Sequence, residues 1–281
     1  MGREDAVADV QWFPGHMKKA ERMMQDGLKL VDVVCEVVDA RIPYASRNPD
    51  LDAIIAGRKP RLLILNRADQ ADPNVTGQWR AYYKAGGVAF LECDAQSGRG
   101  VKDLARALRA LRDKTGPLRA MVVGVPNVGK STFINKVSGR KTAAVSDRPG
   151  ATRGKQWVTV DSRLELLDTP GILWPRFDDP LVGDRLAFTG AVKDQVLDTE
   201  ELAAKLLVTL RQTYPNAIRE RYRFDPDPEA QGWELLETCA RKRGFLMAGG
   251  NVDTERMAAV LLDEFRGGKL GRISLERPVG G

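Results

Sequence analysis

The chain has 281 residues, 43% hydrophobic and 29% charged, with a formal net charge of +6. This composition excludes a disordered or fibrous polypeptide and leaves material for two ordinary domains. No apolar run approaches bilayer-spanning length, and Cys35, Cys93 and Cys239 form no CxxC pair, which argues against membrane insertion, a disulfide framework and a zinc site. Residues 1–10 carry no apolar or arginine-rich targeting pattern, so the expected location is the cytoplasm. The basic excess suits a polyanionic partner such as RNA, although many proteins without one share it.

Short β-branched runs at 31–38, 61–66, 88–94 and 120–125 predict buried strands, with two more at 156–160 and 164–168. Helical spacing over 17–28, 50–56, 75–85 and 101–113 separates the first four. Such alternation predicts an α/β fold with a mostly parallel sheet covered on both faces. The last two runs are close enough to pair as an antiparallel hairpin at one edge. Beyond Pro180 the pattern becomes helical, over 201–212, 233–242 and 254–266. The expected organisation is a larger domain over 1–180 and a smaller all-α domain over 181–281, joined through a linker at 174–184.

Gly124-Val125-Pro126-Asn127-Val128-Gly129-Lys130-Ser131 fits G-x-x-x-x-G-K-[ST], after a predicted strand and before the helical pattern that opens at Thr132. In that context the glycines turn backbone N–H groups toward a β-phosphate at the positive end of a helix. Lys130 is expected on the β- and γ-phosphates and Ser131 on Mg²⁺. Some forty residues on, Asp168-Thr169-Pro170-Gly171 ends a strand. There Asp168 would hold the magnesium through water, and the Gly171 N–H would sense the γ-phosphate. Between them lies Asp147-Arg148-Pro149-Gly150-Ala151-Thr152-Arg153, where Thr152 would complete the Mg²⁺ shell. The surrounding segment 140–155 holds five basic residues against Asp147. It reads either as a solvated loop or as one that also meets RNA phosphates.

A phosphate loop does not choose the base. A carboxylate accepting from guanine's ring N–H and exocyclic amine does, because adenine offers no such pair. The run 61–65 is followed by Asn66-Arg67-Ala68-Asp69, which resembles Asn-Lys-x-Asp with arginine in the lysine position. The next strand ends in Asp94-Ala95-Gln96, which keeps only the alanine of the Ser-Ala-Lys box, whose N–H contacts the guanine oxygen. Both base-reading boxes precede the phosphate loop, whereas ordinary GTPases place them after it. The ring order is kept and the cut point has moved.

With these motifs the chain resembles the circularly permuted GTPases, and in particular the YlqF/RbgA family. Gln11-Trp12-Phe13-Pro14-Gly15-His16-Met17 matches that family's opening motif, and Asp39-Ala40-Arg41-Ile42-Pro43 matches its DARxP box. The resemblance implies a Ras-like domain with an RNA-associated helical C-terminal domain. It also implies GTP hydrolysis stimulated by K⁺ and by the large ribosomal subunit, whose late maturation the family promotes through contacts with rRNA and ribosomal proteins. The expected cofactors are Mg²⁺ and K⁺, and the expected state is a monomer away from membranes.

Ras-type enzymes orient water with a glutamine just after the switch glycine, and here that position is Ile172. In the resembling family the histidine matching His16 is proposed for that role; the other reading is a helix-start cap. Asn127 occupies the position where K⁺-dependent GTPases place a potassium ligand, and the other reading is a turn residue. Three functions compete: a GTP-driven ribosome assembly factor, a different NTPase acting in tRNA modification or transport, and a nucleotide-gated binding module without turnover. Asp69 argues against ATP, and His16 with Asn127 against the module.

Overall fold

The computed structural model describes residues 22–55, 57–112, 114–139, 156–171, 173, 179–192 and 198–278. The 11–17 motif with His16, the segment with Thr152, and Ile172 lie outside the described residues.

Among the described residues six strands form one sheet in the order β3-β2-β1-β4-β6-β5. They are β1 (Val33–Asp39), β2 (Arg61–Asn66), β3 (Phe90–Glu92), β4 (Leu118–Val123), β5 (Gln156–Asp161) and β6 (Leu164–Asp168). The β1–β2, β1–β4, β2–β3 and β4–β6 pairs are parallel, and β5 pairs antiparallel with β6. The parallel sheet and its edge hairpin match the expectation. β3 is shorter than the run 88–94, because its ladder to β2 covers only Phe90 to Glu92. Read from β5 to β3, the order is that of a Ras-like sheet, with the two base-reading strands moved ahead of the phosphate-loop strand in the chain.

Every residue of β1 is buried, as a central strand covered on both faces requires. Its side chains alternate between two cores. Val33, Cys35 and Val37 join Leu62, Ile64, Ala120 and Val122 on one face. Val34 packs with Met121 and Val123 on the other, against Met24 and Leu28 of a helix described over 22–28 (α1) and Leu51 of α2 (Pro49–Ile55). Val38, Leu63 and Leu65 meet Val75, Trp79 and Tyr83 of α3 (Pro73–Ala85). A short 3₁₀ turn leads into α4 (Leu104–Leu111), and α5 (Lys130–Ser138) follows the phosphate loop. Cys35, Cys93 and Cys239 are buried, unpaired thiols.

The C-terminal part is helical: α6 (Pro180–Phe188), α7 (Thr199–Thr213), α8 (Pro215–Tyr222), α9 (Gly232–Lys242) and α10 (Thr254–Arg266). α6 begins inside the stretch expected to be a linker. Asp179 caps it by accepting from the Leu181 N–H at 2.9 Å, and Pro180 occupies the first turn. α8 was not expected; it opens on Pro215 and ends at Arg223, whose φ is 62°. α9 starts against α7 so closely that a Cβ on Gly232 would lie 2.6 Å from the Ala204 carbonyl oxygen. Among the described residues no helix is long and apolar enough to cross a membrane.

The chain then returns to the sheet. Beyond α10, the Ile273 N–H donates to Gln70 O and the Leu275 N–H to Arg41 O, both at 2.8 Å, and Trp79 Nε1 donates to Glu276 O at 3.2 Å. This strap lies along the loops that leave β1 and β2.

Candidate nucleotide site

The phosphate loop, the Asp168 segment and the base-reading loops all leave the carboxyl ends of parallel strands, where open α/β sheets build their clefts. Gly124 leaves β4 with φ of 149°, and a Cβ there would lie 2.3 Å from Val37 O. Only glycine lets the loop pass this close to β1. Gly129 has φ of 92°, and its Phe133 N–H to Gly129 O bond of 2.9 Å starts α5. The N–H groups of the first turn, at Lys130, Ser131 and Thr132, have no partner within the helix, and a helix start of this kind is a ready anion site.

Lys130 Nζ is buried and donates to Gly124 O at 3.0 Å and Val125 O at 2.8 Å. Burial pushes its pKa down to about 8, against the pull of Asp168. Asp168 shows the mirror case: burial pushes it up to about 6, against the pull of Lys130. Among the described residues both Asp168 carboxylate oxygens are buried without a hydrogen-bond partner. A buried carboxylate left with acceptor capacity is the donor set expected beside Mg²⁺ and its waters, so these residues fit that ion. Gly171 lies against the phosphate loop, where a Cβ would come within 2.8 Å of Pro126 Cα and 2.9 Å of Lys130 Nζ.

Asn66 joins the two halves of the site. Its Nδ2 donates to Val128 O at 2.8 Å, and its Oδ1 accepts from the Ala95 N–H at 3.1 Å. The Ala95 N–H, expected on the guanine oxygen, is thus engaged within the protein. Asp94 turns its carboxylate to its own loop, accepting from the Gln96 N–H at 2.9 Å and the Ser97 N–H at 3.2 Å. Burial raises its pKa, but the Ser97 and Gln96 hydrogen bonds outweigh that and hold it below the usual range. Ala68 is buried, and Asp69, half-buried, receives no hydrogen bond from the described residues.

Arg67, with φ of 60°, donates from NH2 to Asn127 O at 2.9 Å and from NH1 to Arg266 O at 3.3 Å. The arginine in the lysine position therefore ties the base-reading loop to the phosphate loop and to the end of α10. Asn127 also has positive φ, 58°, and its Nδ2 donates to Gly190 O at 2.7 Å, beyond α6.

A family profile described as 50S ribosome-binding GTPase matches residues 119–229. It starts in β4 and leaves β1–β3 outside. Ribosome biogenesis GTPase A of Bacillus cereus is 47% identical over 96% of this chain and 94% of its own length. Its counterpart in Priestia megaterium is 46% identical over 96% and 97%. The chain belongs to the ribosome biogenesis GTPase A family. The GNP-bound crystal structure of YlqF from T. maritima superposes with a TM-score of 0.69 at 31% identity, covering 93% of this chain and 99% of that one. Membership in the YlqF/RbgA family makes the protein a GTP-hydrolysing enzyme with a circularly permuted P-loop GTPase fold, and P-loop GTPases generally use Mg²⁺.

The DARxP box acts within the fold. Arg41 is buried, donates from Nε to Asp39 Oδ1 at 2.9 Å and from NH2 to Asp39 Oδ2 at 2.7 Å, and reaches Phe265 O at 2.9 Å. Burial raises the Asp39 pKa, and Arg41 more than reverses the shift. Sequence reasoning did not single out Glu276. Its carboxylate accepts from the Tyr44 N–H at 2.7 Å and the Ala45 N–H at 3.0 Å, just after that box, and from Arg185 at 3.4 Å.

Proposed function

We propose that this protein is a nucleotide-dependent switch in the late maturation of the large ribosomal subunit, binding rRNA and ribosomal proteins as a cytoplasmic monomer. The observation that carries this reading is that Asn66 joins the phosphate loop at Val128 to the base-reading loop at Ala95, in a chain whose relatives are named for ribosome biogenesis. In it Asp69 accepts from the guanine ring N–H and amine, while Asn66, Arg67, Ala68, Asp94 and Ala95 hold the base-reading loops in place. Val128 and Gly129 shape the phosphate cradle, the first-turn N–H groups up to Thr132 bind the phosphates, and Lys130 compensates the β,γ-phosphate charge. Gly171 senses the γ-phosphate. Ser131, Thr152 and Asp168 hold Mg²⁺, which neutralises charge developing on the transferred phosphoryl group. The amide oxygen of Asn127 ligates K⁺, and His16 positions the attacking water; both roles come from the family resemblance.

Steady-state GTP turnover tests these roles. His16→Ala lowers kcat by about tenfold or more while GTP and GDP affinity stay near the parent's. Replacing K⁺ by Na⁺ slows the parent, and Asn127→Ala removes that difference. Equal turnover in His16→Ala and parent, or indifference of the parent to K⁺, contradicts the corresponding role.

A further inference from the structure

We infer that the groove between α6 and the α7–α9 pair is a docking site for a lysine- and arginine-rich segment of a protein partner. The cavity measures about 870 Å³, and its apolar lining includes Phe188, Val208, Leu236, Val252 and Leu275. Two large apolar side chains that also line it remain open to solvent: Trp233 is 62% exposed and Leu181 58%. An exposed tryptophan beside an apolar cavity is the usual anchor of a protein interface.

Charge selects the occupant. The lining carries the carboxylates of Asp184, Asp198, Glu200, Glu201 and Glu237 against two cations, Arg185 and Lys205. Both cations are already engaged, and of the carboxylates Asp184 and Glu201 share Lys205 while Glu237 pairs with Arg241, so the lining keeps an acidic excess centred on Glu200 and Asp198. Arg185 reaches Glu276 at 3.4 Å, and Lys205 lies between Asp184 at 3.5 Å and Glu201 at 3.3 Å. In a chain of net charge +6 this groove is a local negative field. Such a field repels nucleic-acid phosphates and steers cationic side chains inward. A helix or extended segment with alternating basic and apolar residues satisfies both the rim and the floor. This goes beyond the nucleotide chemistry and stands without it.

The test is fluorescence polarisation of the full chain with a labelled amphipathic lysine–leucine peptide. A glutamate–leucine counterpart and an RNA oligonucleotide of the same length serve as controls. The basic peptide binds, and added salt weakens it. Glu200→Lys combined with Glu237→Lys weakens it by about tenfold or more, the loss of roughly 1.4 kcal/mol or more. Trp233→Ala weakens it severalfold, and GTP turnover without a partner stays at the parent level in both variants. Glu200→Lys alone, at an exposed site, serves as the second charge variant should the pair lower the melting temperature. Equal peptide affinity in parent and variants overturns the inference. So does failure of the basic peptide to bind, or tighter binding of the RNA or the acidic peptide.

Discussion

At Asp69 the carboxylate is half-buried, and no hydrogen bond from the described residues engages it. Asp94, one strand over, is committed to its own turn. The two are alike in sequence terms, each an aspartate at a strand end, and only the structure separates the engaged one from the available one. Asp69→Asn presents a donor where guanine also donates, so GTP affinity falls by more than about a hundredfold while XTP affinity rises. Titration with both nucleotides checks this, and unchanged GTP affinity contradicts the base site. Glu276 titrates differently. Burial lifts its pKa from 4.5 to about 7, against Arg185 and the Tyr44 and Ala45 N–H groups. Between those values the folded chain holds a proton that the unfolded chain has released. This group's stabilising contribution is therefore complete below pH 4.5 and lost as pH rises through about 7. Glu276→Gln does not titrate, so parent stability relative to the variant falls across that window by up to about 3 kcal/mol. Denaturant melts at both ends of the window measure it, and a rise instead of a fall contradicts the assignment.

At the scale of elements, the motifs legible in the sequence are local ones. The phosphate loop, Asp168-Thr169-Pro170-Gly171 and the Asn66–Asp69 box each occupy a few consecutive residues at a strand end, so strand pattern and motif agree. α6 is legible in principle, since Asp179-Pro180 is a helix-start signal, although the surrounding stretch 174–184 has the composition of a linker. The strap is not legible. Arg41 and the Phe265 carbonyl are 224 residues apart in sequence, and no local pattern records their contact. Arg41 is consequently the residue on which the β1 end and the α10 end converge. Arg41→Ala leaves the buried Asp39 charge with only the residue-41 N–H and the more distant Arg67 guanidinium, 3.9 Å away, a loss of about 3 kcal/mol of folding stability. Equilibrium unfolding checks this, with hydrogen exchange at residues 270–276 expected to accelerate alongside. Parent-like stability would mean that the pair contributes nothing net.

Across the whole molecule, the strap joins parts that the sequence reading kept separate. Arg272 donates to Ala68 O at 3.0 Å and to Ala71 O at 2.9 Å, and Arg67 reaches Arg266 O. The base-reading loop therefore touches the C-terminal segment directly, while Asn127 of the phosphate loop reaches Gly190 beyond α6. The basic cluster Arg241-Lys242-Arg243 is partly neutralised: Arg241 pairs with Glu237 at 2.5 Å, and Arg243 lies 3.3 Å from Glu264. The contacts of Arg67, Arg272 and Asn127 hold the Asn66–Asp69 loop and the phosphate loop against the C-terminal helical part. The most direct measurement is GTP turnover with and without purified large ribosomal subunits at constant salt. A subunit-stimulated GTPase turns over slowly alone, accelerates on adding subunits, and loses both activities in Lys130→Ala. Turnover in the parent that is identical with and without subunits would contradict the proposed function.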